Sequence, residues 1–406
     1  MLRKWIGIVF SLVLPLSALP LGNALASTSS REIMVTQRTE PMPDLAPHAK
    51  SAVLMDAMTG TVFYAKNEHE RLPIASVTKV ATMLLVMEAI ERKQLHFQDK
   101  VRTSDYAASM GGSQIFLESG ETMTVSELMK GIALASGNDA AVAVAEHIAG
   151  SEGAFVSLMN QRARQLGLQN THFVNANGLP AKGHYSSAFD LAVLSRELMA
   201  HESITQYTGR YQDHLRQGSG KPFWLVNTNK LIRFYSGMDG IKTGFTAEAH
   251  YCLAASAKRD HFRLIAVILG APTAKERNAE ITAMMNYAFS HYGVKMAYKK
   301  GQVVTLVPVS RGELQAVAVT SARPVGVLLN RTTGQEIGTV VSEVHPLVAP
   351  VTRGQIAGTL RVMINQKTVL QVPLLAVADV KKVTWFEMLG RTFKHVFSLG
   401  AKRSFQ

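Results

Sequence analysis

The sequence predicts an α/β protein in which one sheet is assembled from distant parts of the chain around a helical insertion. A small all-β domain and a C-terminal amphipathic helix follow it. Three observations predict this. β-like runs stand near both ends of the first 294 residues, at 51–56 and 61–65 and again at 240–243, 251–257 and 262–269, with helical patterns between them. From Gln302 to about Val380, short Val- and Leu-rich runs are separated by Gly and Pro. Between residues 383 and 403, apolar side chains recur at helical spacing opposite a basic face.

Taken in order, Arg3 and Lys4 precede an apolar run over 5–21, and Ala24-Leu25-Ala26 offers a small-x-small cleavage site before Ser27, so residues 1–26 read as a secretory signal peptide. Residues 27–47, with Pro41, Pro43 and Pro47, read as a linker. The first two strand-like runs flank Met58-Thr59-Gly60 as a hairpin. Pro73 leads into an apolar helix over 76–92 with Ser76 in its first turn. Residues 103–196 are mostly helical, broken by loops at Met110-Gly111-Gly112-Ser113 and Asn175-Ala176-Asn177-Gly178. Three strands return, and a helix over 274–292 closes a domain assigned to 48–294.

The texture changes near residue 295. The runs 303–309, 314–319, 325–329, 359–364 and 369–372 predict short strands of a β-rich domain over 295–380, and no ligand chemistry shows in it. In residues 381–406, Trp385, Phe386, Leu389, Phe393, Val396 and Phe397 share one helical face, with Arg391, Lys394, His395 and Lys402 opposite. No unbroken apolar run of about 18 residues occurs there, so the segment fits an in-plane membrane anchor rather than a span.

Composition excludes several functions. With 47% hydrophobic and 18% charged residues among 406, the chain reads as folded. Its formal charge of +13 falls to +11 once Arg3 and Lys4 leave with the signal peptide. An exported basic protein meets anionic lipid or wall polymers rather than nucleic acid. Cys252 is the only cysteine, so neither an intrachain disulfide nor a cysteine metal site is expected. The thirteen His form no H-E-x-x-H, and no G-x-S-x-G nucleophile elbow occurs. No metal and no cofactor are expected.

Chemistry concentrates in three short motifs: Ser76-Val77-Thr78-Lys79, Ser136-Gly137-Asn138 and Lys242-Thr243-Gly244. Ser76 and Lys79, three apart on a helix, share a face. A hydroxyl needs a base beside it, and Lys79 can serve if burial among Ile74, Val80, Met83 and Leu84 depresses its pKa. Ser136 can relay a proton to a leaving amine, and the Asn138 amide can hold substrate backbone or orient Lys79. Lys242-Thr243-Gly244 sits where an edge strand is predicted to begin. Such a strand can pair with an extended peptide, its cation and hydroxyl can hold a carboxylate, and glycine permits close approach. Each motif alone is common. S-x-x-K, S-x-N and K-T-G in this order form the signature of serine enzymes that acylate themselves on penicillin-like or D-Ala-D-Ala substrates.

On these motifs the chain resembles the low-molecular-mass penicillin-binding proteins, the D-alanyl-D-alanine carboxypeptidases of serine peptidase family S11. Residues 112–117, Asn175-Ala176-Asn177-Gly178-Leu179, His184-Tyr185-Ser186 with Asp190, and Asn227-Thr228-Asn229 look like further family segments. Glu276-Arg277-Asn278 looks like the segment whose Arg binds the substrate carboxylate, which points to Arg277. The texture of 111–117 and 223–230 is similar to carboxypeptidases of Gram-positive spore formers. The resemblance implies a DD-peptidase/β-lactamase-like domain, an antiparallel sheet flanked by helices with a helical subdomain. It also implies attack by Ser76 with Lys79 as base, an oxyanion hole from the N–H groups of Ser76 and Phe245, and protonation of the leaving D-Ala through Ser136 and Lys242. Implied partners are peptidoglycan stem peptides ending in D-Ala-D-Ala, β-lactams as inhibitors, and the outer face of the cytoplasmic membrane. Phe245 stands where some relatives carry His, which bears on substrate preference. A class A β-lactamase would need a deacylating Glu, and none stands convincingly after Asn138. An endopeptidase or transpeptidase would differ in acceptor rather than in these residues, and a silent wall-binding protein would not need them intact.

Overall fold

The computed structural model describes residues 43–218, 221–384 and 387. The signal peptide (1–26), most of the linker (27–47) and nearly all of the predicted anchor helix lie outside these residues.

Strands β1 (Ser51–Asp56) and β2 (Val62–Lys66) form the expected hairpin. Its turn is closed by Thr59, whose N–H and hydroxyl donate to Asp56 Oδ2 at 2.7 and 2.6 Å. A 3₁₀ turn, Ala75–Thr78, precedes helix α1 (Lys79–Glu91). The helical insertion contains α2 (Asn138–Ala149) and α3 (Ala188–Ala200). The chain returns as β3 (Met238–Thr246), β4 (His250–Arg259) and β5 (Phe262–Ala271), followed by α4 (Ala274–His291).

The strands make one antiparallel sheet in the order β2-β1-β5-β4-β3. The pairing of β1 with β5, with Val53 opposite Val267, joins the two distant segments that the sequence placed together. Both sheet faces are covered. Val53, Met55, Val267 and Leu269 point into a core shared with α1, α2 and α3, whereas Ala52, Leu54, Ala266 and Ile268 meet Ile281, Met284 and Met285 of α4. Burial on two faces explains why β1 and β5 read as unbroken apolar runs instead of alternating ones. β3 is an edge of this sheet; the carbonyls of Asp239 and Gly240 at its start accept from Thr208 and Asn229, and no further strand pairs with its outer side among the described residues.

Two sequence expectations are corrected. Ser76 does not sit within a long helix: the Thr78 hydroxyl donates to Ala75 O at 2.8 Å and tightens the segment into a 3₁₀ turn, so the α-helix begins at Lys79. K-T-G does not open its strand either, because β3 already starts at Met238 and Lys242 pairs mid-strand with Ala254.

The β-rich part opens with strand Tyr292–Tyr298, which pairs with Val325–Asn330 in a three-stranded sheet completed by Glu336–Ile337. The six-stranded sheet runs Thr339–Val344, Ile356–Ile364, Lys367–Ala376, Ala316–Ser321, Val303–Ser310, Leu347–Val348. Val307, Val319, Leu360, Val362 and Leu374 fill its core. Thr339–Val344 escaped the sequence reading: it is an edge strand with no fully buried residue, and its valines are interrupted by Ser342 and Glu343. Past this part, Thr384 and Glu387 exchange side-chain and backbone hydrogen bonds in the pattern of a helix capping box. Among the described residues no helix is long and apolar enough to cross a membrane.

Candidate active site

The nucleophile turn is held by two glycines from elsewhere in the chain. A Cβ on Gly244 of β3 would lie 2.7 Å from Ile74 O, and one on Gly178 would lie 2.0 Å from Ala75 O. Both positions therefore require glycine because the turn itself presses against them. The sequence argument for Gly244 invoked close approach of a substrate; the structure shows close approach of the Ser76 turn. Ser76 is half-buried while Val77, Thr78 and Lys79 are fully enclosed, so only the serine of the tetrapeptide faces the cleft.

Lys79 has no exposed surface. Its Nζ lies 3.0 Å from Ser76 Oγ and 2.6 Å from both Asn138 Oδ1 and Asn177 O. Asn138 Nδ2 donates to Gly111 O at 2.7 Å, which fixes the amide with its oxygen toward the lysine. Burial holds the Lys79 pKa well below the ordinary lysine value, repulsion from Lys242 adds to this, and Asp139 opposes it. A neutral amine donates two hydrogens to Asn138 and Asn177 and keeps a lone pair for the Ser76 hydroxyl. That is the state a general base needs.

Ser136 is buried at the left-handed end of a π-helical turn, Gly131–Ala135, with φ +64°. It stands two residues before Asn138, the first residue of α2. The carboxylate of Asp139 accepts from the N–H groups of Ile115, Leu117 and Ala140, which ties the 111–117 loop to the start of α2.

Across the cleft, Lys242 Nζ donates to Thr243 O at 3.0 Å, and the Thr243 hydroxyl donates to Thr228 Oγ1 at 2.7 Å. Burial, then repulsion from Arg277, push the Lys242 pKa down to about 7. Arg277, in the first turn of α4, is 5% exposed, and among the described residues its side chain hydrogen-bonds to Asn278 Oδ1, at 3.1 and 2.9 Å. Its guanidinium lies 6.0 Å from the Tyr251 ring centroid, and Tyr251 packs on exposed Phe245 at 4.5 Å. Burial lowers the Arg277 pKa. Among the described residues, none of Lys79, Lys242 or Arg277 is in an ion pair with a carboxylate.

The structure therefore brings Ser76, Lys79 and Asn138 within hydrogen-bonding reach of one another and sets Gly244 against the Ser76 turn, with Lys242 close enough to repel Lys79 and Arg277 close enough to repel Lys242; Ser136 lies two residues before Asn138. The sequence reading assigned no role to Asn177, Asp139 or Thr228. Asn177 acts through its main-chain carbonyl, which leaves no side-chain signature. For Thr228 the signal was the Asn227-Thr228-Asn229 segment, whose Asn229 Nδ2 also donates to Gly240 O of β3.

A family profile described as D-alanyl-D-alanine carboxypeptidase, peptidase S11, matches residues 35–273, and one described as penicillin-binding protein 5, C-terminal domain, matches residues 292–382. The chain belongs to the S11 peptidase family. The D-alanyl-D-alanine carboxypeptidase DacF of Bacillus subtilis (strain 168) is 51% identical over 352 residues, covering 86% of this chain and 90% of that protein. Penicillin-binding protein 5 from Haemophilus influenzae superposes with a TM-score of 0.64 at 28% identity, covering 85% of this chain and 100% of that one. Penicillin-binding protein D2 from Listeria monocytogenes, solved in an ampicillin-bound form, superposes with a TM-score of 0.53 at 31% identity, covering 61% of this chain and 100% of that one. As an S11 peptidase the chain is a serine-type hydrolase of the D-alanyl-D-alanine carboxypeptidase class.

Proposed function

We propose that Ser76 removes the terminal D-alanine of peptidoglycan stem pentapeptides through an acyl-enzyme, and that penicillins acylate the same oxygen. The observation that carries this reading is the site's charge: a hydroxyl beside a buried lysine whose pKa is held well below the ordinary value, with a second buried lysine and a buried arginine that lack any carboxylate partner among the described residues. Burying unpaired cations is costly, so they fit a ligand that brings its own carboxylate.

Ser76 Oγ attacks the penultimate D-Ala carbonyl carbon while its proton passes to Lys79 Nζ. The N–H groups of Ser76 and Phe245 hold the oxyanion. As the C–N bond breaks, the proton reaches the departing amine through Ser136 and Lys242. Water then attacks the ester with Lys79 again as base. Thr243, Lys242 and Arg277 hold the substrate's terminal carboxylate, and Gly244 holds β3 against the nucleophile turn.

The same reading divides the chain into a catalytic domain (48–294), a β-rich domain (295–380) and an anchor (381–406). The cleavable leader (1–26) supports export to the outer face of the cytoplasmic membrane. The aromatic and basic faces of residues 383–403, preceded by the Thr384–Glu387 cap, support peripheral attachment there. Deleting residues 383–406 frees the protein from anionic vesicles; undiminished binding rejects the anchor.

The deciding experiment measures free D-Ala released from a pentapeptide ending in D-Ala-D-Ala. Ser76→Ala abolishes release, and release unaffected by that change overturns the mechanism. Mass spectrometry after penicillin treatment separates the two acyl-enzyme classes: a long-lived adduct on Ser76 fits the peptidase, rapid turnover a β-lactamase.

A further inference from the structure

One buried histidine near the nucleophile has no part in the chemistry above. His184 is 9% exposed, and its ring lies edge-on to Phe173 at 5.9 Å. The N–H of Val174 donates to His184 Nδ1 at 3.1 Å, so this nitrogen carries no hydrogen. The ring's remaining nitrogen, Nε2, lies 2.7 Å from Thr78 Oγ1. Thr78 in turn spends its single hydroxyl hydrogen on Ala75 O at 2.8 Å. Every donor in this chain then has one direction: Val174 N–H to Nδ1, Nε2–H to Thr78, Thr78 O–H to Ala75.

The end of the chain is the strained point of the nucleophile turn. Ala75 has φ +46°, a region that costs a residue with a Cβ and persists only when its surroundings enforce it. Ala75 directly precedes Ser76, and because its carbonyl and the Ser76 N–H share one peptide plane, fixing the carbonyl fixes that N–H and the backbone from which Ser76 Oγ projects.

We propose that His184 is a positioning residue for acylation: its neutral Nε2–H tautomer fixes Thr78, and through Thr78 the backbone of Ala75, so that Ser76 is presented to Lys79. The inference rests on the acyl-enzyme reading of Ser76. Burial and the nearby His172 push the His184 pKa down to about 4, which keeps the ring neutral at ordinary pH. Among the described residues His184 hydrogen-bonds to Thr78 and Val174 and not to Ser76 or Lys79, so it acts on rate through geometry.

The test uses the purified full chain and a fluorescent penicillin, with non-covalent binding and the acylation rate constant resolved by stopped flow. His184→Ala slows acylation by about 10²-fold, the scale of a misplaced reacting group, and leaves the non-covalent dissociation constant unchanged. Thr78→Val gives a loss of the same size, and the double variant is no slower than the worse single one, since both cut the same chain. His184→Gln, which returns a donor near the Nε2 position, recovers most of the rate. In the wild-type protein, ¹⁵N spectra at pH 7 report the Nε2–H tautomer, a readout independent of whether any variant folds. The proposal is overturned by wild-type acylation in folded His184→Ala, by additive losses in the double variant, by a Gln variant as slow as the Ala variant, or by an Nδ1–H tautomer. Loss of Ser76 labelling in the wild type would reject the acyl-enzyme reading instead, so the two failures are distinguishable.

Discussion

The two walls of the cleft treat their cations in opposite ways. On the Ser76 wall, Lys79 Nζ has three oxygen neighbours within 3.0 Å, each held by the fold, and the lysine is complete without a ligand. On the β3 wall, Lys242 has one carbonyl and Arg277 one side-chain amide, and neither has a carboxylate. A satisfied polar group is rigid and defines one geometry. An undersatisfied one stores a requirement for a ligand. In the proposed mechanism Lys79 serves the chemical step and Arg277 only reads the substrate carboxylate, while Lys242 takes part in both, and substitutions at Lys79 and Arg277 should separate by kinetic constant.

The largest effect is expected on the chemical wall. Lys79→Met slows penicillin acylation by about 10²–10⁴-fold, the contribution of a positioned base, with non-covalent binding retained. Weakened binding at an unchanged acylation rate would erase the distinction between the walls. Asn138→Asp is a sharper and smaller probe because it alters charge with little change of shape. A carboxylate 2.6 Å from Nζ favours the ammonium, so the Lys79 pKa rises and less free base remains at neutral pH. The acidic limb of the acylation rate then moves to higher pH by about one to three units. A limb that stays in place or moves down removes Lys79 as its origin.

On the recognition wall, Arg277→Gln raises KM for a D-Ala-D-Ala peptide by about 10–10²-fold, the range for a charged hydrogen bond, while kcat changes less. A peptide whose terminal carboxylate is capped as an amide loses little further, because the group that reads the charge is gone. The same change relieves a buried unpaired cation, so the thermal midpoint rises by about 2–4 °C per kcal/mol gained. A lower midpoint together with an unchanged KM would place Arg277 in the scaffold.

How far the sequence carried these walls follows the same division. Lys79 was legible because desolvation depends on flanking apolar residues, and Ile74, Val80, Met83 and Leu84 are all buried around it. That one sheet joins strands from opposite ends of the domain was legible from the apolar runs at both ends; which strand pairs with which was not, and the structure sets β1 beside β5. What the residue types did not reveal is carried by backbone. The Asn177 carbonyl has no side-chain signature, and the 3₁₀ turn at Ala75–Thr78 depends on a positive φ at an alanine, which composition does not encode. Arg277 could be reached only through family likeness, because a lone arginine on a helix has no pattern; its want of a partner shows only when α4 is packed beside β4. The edge strand Thr339–Val344 was missed for another reason: it has no fully buried residue, and Ser342 and Glu343 break its apolar run.

The smallest expected effect is on the fold rather than on turnover, and it sharpens the view that the recognition wall is held at a cost. The Lys242 pKa in the folded protein is about 7, against 10.5 for an ordinary lysine. Between these values the unfolded chain holds a proton that the folded protein has released. Stability rises with pH wherever the unfolded state binds more protons, so the penalty from Lys242 is complete below pH 7 and fades as pH rises toward 10.5. Lys242→Met removes the penalty at every pH. Urea midpoints measured for both proteins at pH 6, 8 and 10 should therefore show the variant's advantage shrinking as the pH rises. Lys79 works in the same direction: its pKa is depressed partly by repulsion from Lys242, so Lys242→Met also relieves part of the Lys79 penalty, and that gain fades with rising pH as well. An advantage that is constant across this window, or grows with pH, would mean that Lys242 keeps its proton in the folded state and that the wall holds a permanent cation before any substrate arrives.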